Sequence, residues 1–88
     1  MITNKRYKKK ILEKIEELKS DQDYYRRAID AEARIAIEHG YIVKKHEDMT
    51  FVYRPDMTIP ELIQGSIRHS EGVIDGLRLA IESLEREL

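Results

Sequence analysis

Hydrophobic positions in the last third of the chain recur at helical spacing. Their alternating intervals of four and three residues form one continuous stripe, made up of Ile63, Ile67, Ser70, Ile74, Leu77, Ile81, Leu84 and Leu88. Such a heptad-like stripe lies on one side of a helix and indicates packing against another helix. Just before it, Thr58 is placed to cap the helix, Glu61 to complete a capping box and Pro60 to occupy the first turn. The sequence therefore predicts a helix over residues 58–88.

A second stripe of the same kind runs through the first half of the chain. Its members are Ile11, Ile15, Leu18, Gln22, Tyr25, Ile29, Glu32 and Ala36, again four and three residues apart. This spacing predicts helical structure over residues 4–39, and Gly40 is suited to end it because glycine readily adopts the left-handed conformation. Ser20 or Asp21 could cap a new helix, so the pattern is compatible with one long helix or with two helices broken near residues 20–22.

The segment between the two stripes has the composition of a β-hairpin. Two short runs rich in β-branched and aromatic residues flank a polar four-residue turn at positions 46–49, and Pro55 ends the second run because it cannot donate to a ladder. We predict a hairpin over residues 41–54. An isolated two-stranded hairpin is marginal in water, so it must pack on the helices or pair with another copy.

These elements predict an α+β fold that is mostly α. Its order is long helix, β-hairpin and long helix, arranged as an antiparallel helical hairpin with heptad-type packing. A chain of 88 residues and 10.4 kDa allows a single domain over residues 1–88. Two helices and a hairpin bury little core for their length, so we expect the protein to associate with itself as a dimer or a larger oligomer.

Charge is divided unevenly along a chain whose net charge is −1. Residues 1–10 contain five basic side chains and no acidic one, whereas residues 71–88 contain five acidic and two basic side chains. A basic cluster can bind nucleic acid or an anionic membrane. We favour the interpretation that antiparallel helices bring the two ends together, where their charges neutralise each other. With no apolar run of about 20 residues, a cytoplasmic protein without a membrane partner is expected.

Residues that could carry catalysis or hold a metal do not form a recognisable set. Cysteine is absent, which excludes disulfides and thiolate chemistry. His39, His46 and His69 lie in different predicted elements, and none has the companion ligands that a metal site needs. The chain has no glycine-rich phosphate loop and no nucleophile motif. We therefore expect a protein that is not an enzyme, with no catalytic residue, no metal and no cofactor.

Small residues form a further stripe on the last helix. We call it the small-residue flank, and its members are Gly65, His69, Gly72, Gly76, Ala80 and Ser83. An offset of two residues from the Ile/Leu stripe corresponds to about 200° of helix rotation. Each interior glycine costs about 1 kcal/mol relative to alanine, so we predict that this flank is a contact surface where close approach offsets the cost. Its partner could lie within the protomer, in a sister copy or in a foreign molecule.

Taken together, these features predict a small, non-enzymatic, homo-oligomeric binding protein that docks on and sequesters or inhibits another macromolecule, most simply a protein. Accessory proteins of phages and mobile elements, including inhibitors of host defence, provide the analogy. One alternative is binding of nucleic acid or of a small anionic nucleotide through Tyr53, Arg54, Arg68 and His69. Another alternative is a structural assembly factor without a ligand.

Overall fold

The computed structural model describes residues 2–56 and 58–88, and it contains two long helices joined by an antiparallel two-stranded hairpin. The elements follow the order α1 (Ile2–Glu38), β1 (Ile42–His46), β2 (Met49–Tyr53) and α2 (Glu61–Glu85). This confirms the predicted helix–hairpin–helix layout. α1 continues without a break, which decides the choice left open at residues 20–22. Gln22 helps to hold this region, because its buried side chain donates a hydrogen bond of 3.2 Å from Nε2 to the Ile74 carbonyl.

Gly40 ends α1 through its left-handed backbone, with a φ of 85°. The Tyr41 N–H donates to the Ala36 carbonyl and the Gly40 N–H to the Ile37 carbonyl, both at 3.0 Å. This pair of bonds is the Schellman motif, which satisfies the last carbonyl groups of a helix. Tyr41 then packs against the apolar cluster that contains Ala36, so the chain turns directly from α1 into the hairpin.

The start of α2 differs from the predicted capping box. The helix begins at Glu61, and Pro60 occupies the N-cap position in an extended conformation without a side-chain cap. The Thr58 backbone N–H instead donates to Asp56 Oδ1 at 3.0 Å, and this bond holds the pKa of the Asp56 carboxyl below its ordinary value. Thr58 thus belongs to the turn before the helix. With its last helical residue at Glu85, α2 is shorter at both ends than the predicted range 58–88.

Five cross-strand pairs define the hairpin, from Ile42 opposite Tyr53 to His46 opposite Met49. The turn is shorter than predicted, because only residues 47 and 48 lie between the strands. Glu47 adopts a φ of 55° there, which lets so short a turn reverse the chain. The result is an element whose inner face packs on the helices.

Both heptad stripes form the interface between α1 and α2, in two clusters along the helix pair. One cluster contains Ile11, Ile15, Leu18 and Ile81, with Leu77 and Leu84 packed against it. The other contains Ile29, Ala36, Val52 and Ile67, with Tyr41, Val43, Ile63 and Ile74 around it. The polar members Gln22 and Ser70 are also buried. The hairpin contributes only to the second cluster, so the far half of the molecule is a two-helix layer.

The body is long and thin. Its extents are 63 × 18 × 18 Å and its radius of gyration is 17.6 Å, whereas a compact domain of this length has a radius of gyration of about 12 Å. The accessible surface is 6849 Å², compared with about 5400 Å² for a typical monomer of this mass. The protomer therefore leaves an unusually large surface open to solvent.

The two chain ends lie together, as the antiparallel arrangement requires. The Tyr7 hydroxyl donates a hydrogen bond to the Glu87 carboxylate, and this contact raises the pKa of Tyr7. Among the described residues, no ion pair involves the basic side chains of residues 5–10. Their attraction to the acidic end of α2 thus acts across solvent, over a range of about 10 Å at 0.1 M salt.

Candidate functional site

The small-residue flank of α2 points away from the rest of the protomer. All six of its members are exposed. Outside the local helix, a Cβ atom built on Gly65, Gly72 or Gly76 would meet no described atom within 4 Å. The described residues therefore do not make the predicted contact with this flank, which leaves a second copy or a foreign molecule to provide it.

Charge on α2 is confined to one side of the helix. Between Leu62 and Leu84 the charged residues are Arg68, Glu71, Asp75, Arg78 and Glu82. At 100° per residue they fall within an arc of about 80°. The remaining arc of about 280° contains the buried heptad stripe, the small-residue flank and the surface between them. Most of the circumference of α2 is thus uncharged, although α1 covers only part of it.

An apolar groove marks where this uncharged surface continues onto α1. The groove has a volume of about 250 Å³ and is lined by Glu32, Ile35, Leu62, Ile63 and Ser66. Ser66 Oγ donates a hydrogen bond of 2.7 Å to the Glu32 carboxylate, which engages the one charged group of the lining. Leu62 is 92% exposed and Ile35 is 49% exposed. Large apolar side chains therefore stand open to solvent on both helices.

Helical spacing extends the groove into two uncharged rows, which we call the back face. At intervals of three and four residues, α1 presents Tyr24, Ala28, Ala31 and Ile35, and α2 presents Leu62, Ser66, His69, Val73, Gly76 and Ala80. Neither row contains an acidic residue, a lysine or an arginine. The row on α2 overlaps the small-residue flank, whereas the row on α1 contributes bulky side chains, including the 63% exposed Tyr24.

The opposite side of the helix pair, the front, carries the hairpin. The Val52 N–H donates to Gln64 Oε1 at 2.8 Å, and Gln64 Nε2 donates to the Thr50 carbonyl at 3.0 Å. The Thr50 N–H donates to Glu71 Oε2 at 2.7 Å. Two side chains of α2, seven residues apart, thus satisfy backbone groups along the outer edge of β2 and fix the hairpin in place.

The outer face of the hairpin exposes a second apolar surface. Ile42, Met49 and Phe51 are 36%, 45% and 39% exposed, respectively. They alternate along the strands with side chains that point inward, such as the buried Thr50 and Val52. The protein therefore offers apolar side chains on both the front and the back of the helix pair.

Two of the predicted anion contacts, Arg68 and His69, are adjacent in sequence but separate in space. The Arg68 guanidinium pairs with the Glu71 carboxylate and lies 4.6 Å from the centroid of the Phe51 ring. His69 follows about 100° further round the helix, on the exposed small-residue flank. Arg68 thus helps to hold the hairpin, and His69 belongs to a different surface.

The other two predicted anion contacts lie on the hairpin. The Arg54 guanidinium stacks 5.0 Å from the centroid of the Tyr41 ring. Tyr53 lies on the outer face, where Lys44 Nζ is 5.9 Å from its ring centroid. Each of the cations Lys44, Arg54 and Arg68 therefore has an aromatic neighbour. Contacts among the described residues do not bring the four predicted residues into one pocket.

A second groove of about 580 Å³ lies on the front, beside the hairpin turn. Its acidic lining residues are Asp30, Glu47, Asp48, Glu71, Asp75, Glu82 and Glu85, and its basic ones are Lys19, Arg26, Lys45 and Arg78. Several of these charges are paired: Arg78 lies 2.8 Å from Asp75 and 2.9 Å from Glu82, and both carboxylates raise the pKa of Arg78. The groove is thus polar and partly self-neutralised.

Among the described residues, no group of three or more histidine, aspartate and glutamate side chains is placed to hold a metal ion. Neither α1 nor α2, over the part of the chain that the structure describes, has a stretch long and apolar enough to cross a membrane.

Sequence reasoning missed the row on α1 and the side chains that anchor the hairpin. Tyr24 and Ile35 lie outside the heptad stripe, and the one available signal was the lack of charge at positions three and four residues apart. For Gln64 and Glu71, the sequence shows only a spacing of seven residues. It does not show which strand edge comes close to them.

The chain was compared with protein-family models, with curated proteins and with solved structures, and no significant match was found in any of the three comparisons.

Proposed function

We propose that this protein is a non-enzymatic, homo-oligomeric binding protein that docks on another macromolecule, a protein, and sequesters or inhibits it. The observation that supports this most is the exposure of apolar side chains on both sides of a thin body, at Leu62 on the back and at Met49 and Phe51 on the front. Exposed apolar patches on a soluble protein mark interaction sites.

The small-residue flank adds an energetic reason. Three glycines within α2 cost on the order of 3 kcal/mol relative to alanine, and no described atom outside the local helix comes within 4 Å of the positions where their Cβ atoms would stand. No contact among the described residues offsets that cost. A contact with another molecule would offset it, because small side chains let a second backbone approach closely.

The arrangement also explains how self-association and docking can coexist. The back face and the outer face of the hairpin lie on opposite sides of the helix pair. One surface can be covered by a second copy while the other remains open to the macromolecular target. An oligomer would then present the hairpin face more than once, which strengthens binding through avidity.

Affinity capture from the native host, followed by mass spectrometry and by titration with the purified partner, tests this function. We expect a saturable partner whose affinity falls at least tenfold for Phe51→Ser. Leu12→Ser is the matched control, because Leu12 is 51% exposed on α1 and lies in neither surface. Absence of any saturable partner, or equal binding by both variants, would contradict docking through the hairpin face.

The salt dependence of binding distinguishes the nucleotide or nucleic-acid alternative from docking on a protein. Binding to phosphates weakens steeply as salt rises, whereas apolar docking does not. Arg68, which this alternative needs, already pairs with Glu71. The geometry therefore supports it less than docking on a protein. A structural assembly factor without a ligand would form the oligomer and bind no further partner.

A further inference from the structure

We propose that the back face is a homodimer interface, in which a second copy packs α1 against the first copy's α2 and completes a four-helix bundle. This inference rests on the proposed function, because it names a second copy as the partner of the small-residue flank. The dimer's two-fold axis would run along the length of the body.

The width of the uncharged surface on α2 indicates that the helix has more than one helical neighbour. A helix that packs on a core along one side needs an apolar stripe of about 100°. On α2, the charged residues between Leu62 and Leu84 leave about 280° uncharged. The heptad stripe against α1 accounts for one part of this arc, and the small-residue flank and Leu62 remain open. Helices of a four-helix bundle contact two neighbours and need such a surface.

Shape supports α1 of a second copy as the covering element. Within the protomer, hydrogen bonds place Gln22 at the same height along the long axis as Ile74, and Glu32 at the same height as Ser66. A two-fold rotation about the long axis does not change the height of a residue along that axis. The partner's Tyr24 therefore lies over the Gly72–Gly76 segment. The partner's Tyr24, a bulky side chain that is 63% exposed, then meets the smallest residues of α2.

Charge distribution selects this direction of the two-fold axis. Rotation about the long axis lays the basic start of α1, with five basic side chains in residues 1–10, over the acidic end of the partner's α2. The Tyr7–Glu87 hydrogen bond shows that these two ends lie at the same level in the protomer. Rotation about an axis across the body would instead lay the basic end over the partner's hairpin end, which carries Lys44 and Lys45.

The available area is close to what a stable dimer needs. The 25 residues of α2 span about 38 Å at 1.5 Å per residue, and the body is 18 Å wide. This gives a projected area of roughly 680 Å², and corrugation of the surface increases the accessible area further. A standard interface buries about 800 Å² per partner.

Sedimentation equilibrium of two matched variants tests the interface. Ile35 and Ile37 are the same residue type on the same helix, 49% and 58% exposed, but they point about 160° apart because they are separated by two residues rather than one turn of 3.6. Ile35→Lys lies on the back face, and we expect it to raise the dimer dissociation constant by roughly a hundredfold or more, as loss of an interface hot spot does. Ile37→Lys should keep the mass of two 10.4-kDa chains. A wild type that stays monomeric at about 100 µM, or equal masses for both variants, would overturn the proposal.

Cysteine crosslinking tests the direction of the axis, because the natural chain has no cysteine. The double variant Tyr24→Cys/Gly76→Cys should form a covalent dimer on oxidation, and neither single variant should do so. A covalent dimer of Gly76→Cys alone would place α2 against α2 and overturn this arrangement. A failed dimer together with saturable binding of a macromolecule would remove this inference alone. An intact dimer without any partner would remove the docking function alone.

Discussion

Replacing Gly72 and Gly76 with alanine should have opposite effects on the protomer and on its association. In an exposed helix interior, each change gains about 1 kcal/mol of helix stability. Steric cost is absent, because a Cβ at either position meets no described atom within 4 Å outside the local helix. For a domain of this size the double variant should melt roughly 10 °C higher when the protomer is alone.

Association changes the sign of this effect. A second copy present at about a hundred times its dissociation constant stabilises the wild type by roughly 2.7 kcal/mol. Two added methyl groups on the small-residue flank hold the helices apart and remove most of that contribution. The double variant should therefore lose its advantage as the protein concentration rises.

Thermal unfolding followed by circular dichroism at about 1 µM and about 200 µM measures both effects, since association makes the melting temperature depend on concentration. Leu12→Ala is the control, because Leu12 is 51% exposed on α1 and lies in neither surface, so its effect should not vary with concentration. The flank is not a contact surface if the double variant melts above the wild type by the same margin at both concentrations and also has the same mass in solution as the wild type. If it gains nothing at the lower concentration, the energetic argument about the glycines is wrong.

Three further predictions concern the protomer. Ile67 is fully buried, so Ile67→Ala should lower the free energy of unfolding by about 2–5 kcal/mol in a chemical denaturation experiment, whereas Leu12→Ala, at an exposed position, should change it little. Gln64→Ala leaves the Val52 N–H and the Thr50 carbonyl without their partner and should cost about 1–3 kcal/mol; faster hydrogen exchange at the Val52 amide, without a matching change in α1, would be the signature. The contact with Glu87 raises the pKa of Tyr7 from its ordinary 10.0. The stabilisation that this contact gives the folded state is therefore complete below about pH 10 and is lost as pH rises through the raised pKa. Tyr7→Phe should then be less stable than the wild type at pH 8 and equally stable at strongly alkaline pH, and a constant difference would contradict that contact.

The helices were predictable because one physical rule dominates them. Residues spaced four and three apart lie on one side of a helix, so the buried positions can be identified without knowing which element covers them. Even the polar members of the stripes, Gln22 and Ser70, are buried. Gly40 was predictable for a similarly local reason, since few other residues accept its backbone conformation.

Two kinds of feature were not predictable: the choice between competing local hydrogen bonds, and contacts between residues far apart in the sequence. Thr58 has the side chain of a helix cap, but its backbone N–H bonds to Asp56, and Pro60 stands at the N-cap instead. The anchoring of β2 by Gln64 depends on where the hairpin folds back onto α2, which no local pattern encodes. The exposure of the small-residue flank follows its predicted position opposite the heptad stripe, whereas its role as a contact stays a prediction.

Thiol labelling in solution tests most directly the claim that the small-residue flank is a contact surface. The chain has no cysteine, so Ala80→Cys on the flank and Leu12→Cys on the other side of α1 each introduce a single thiol at a position that is exposed in the chain. Both should react with a maleimide at similar rates when the protein is dilute. As the concentration rises, the thiol of Ala80→Cys should become protected at least tenfold, while that of Leu12→Cys should keep its rate. Equal rates for both variants at every concentration, and in the presence of any captured partner, would contradict the account.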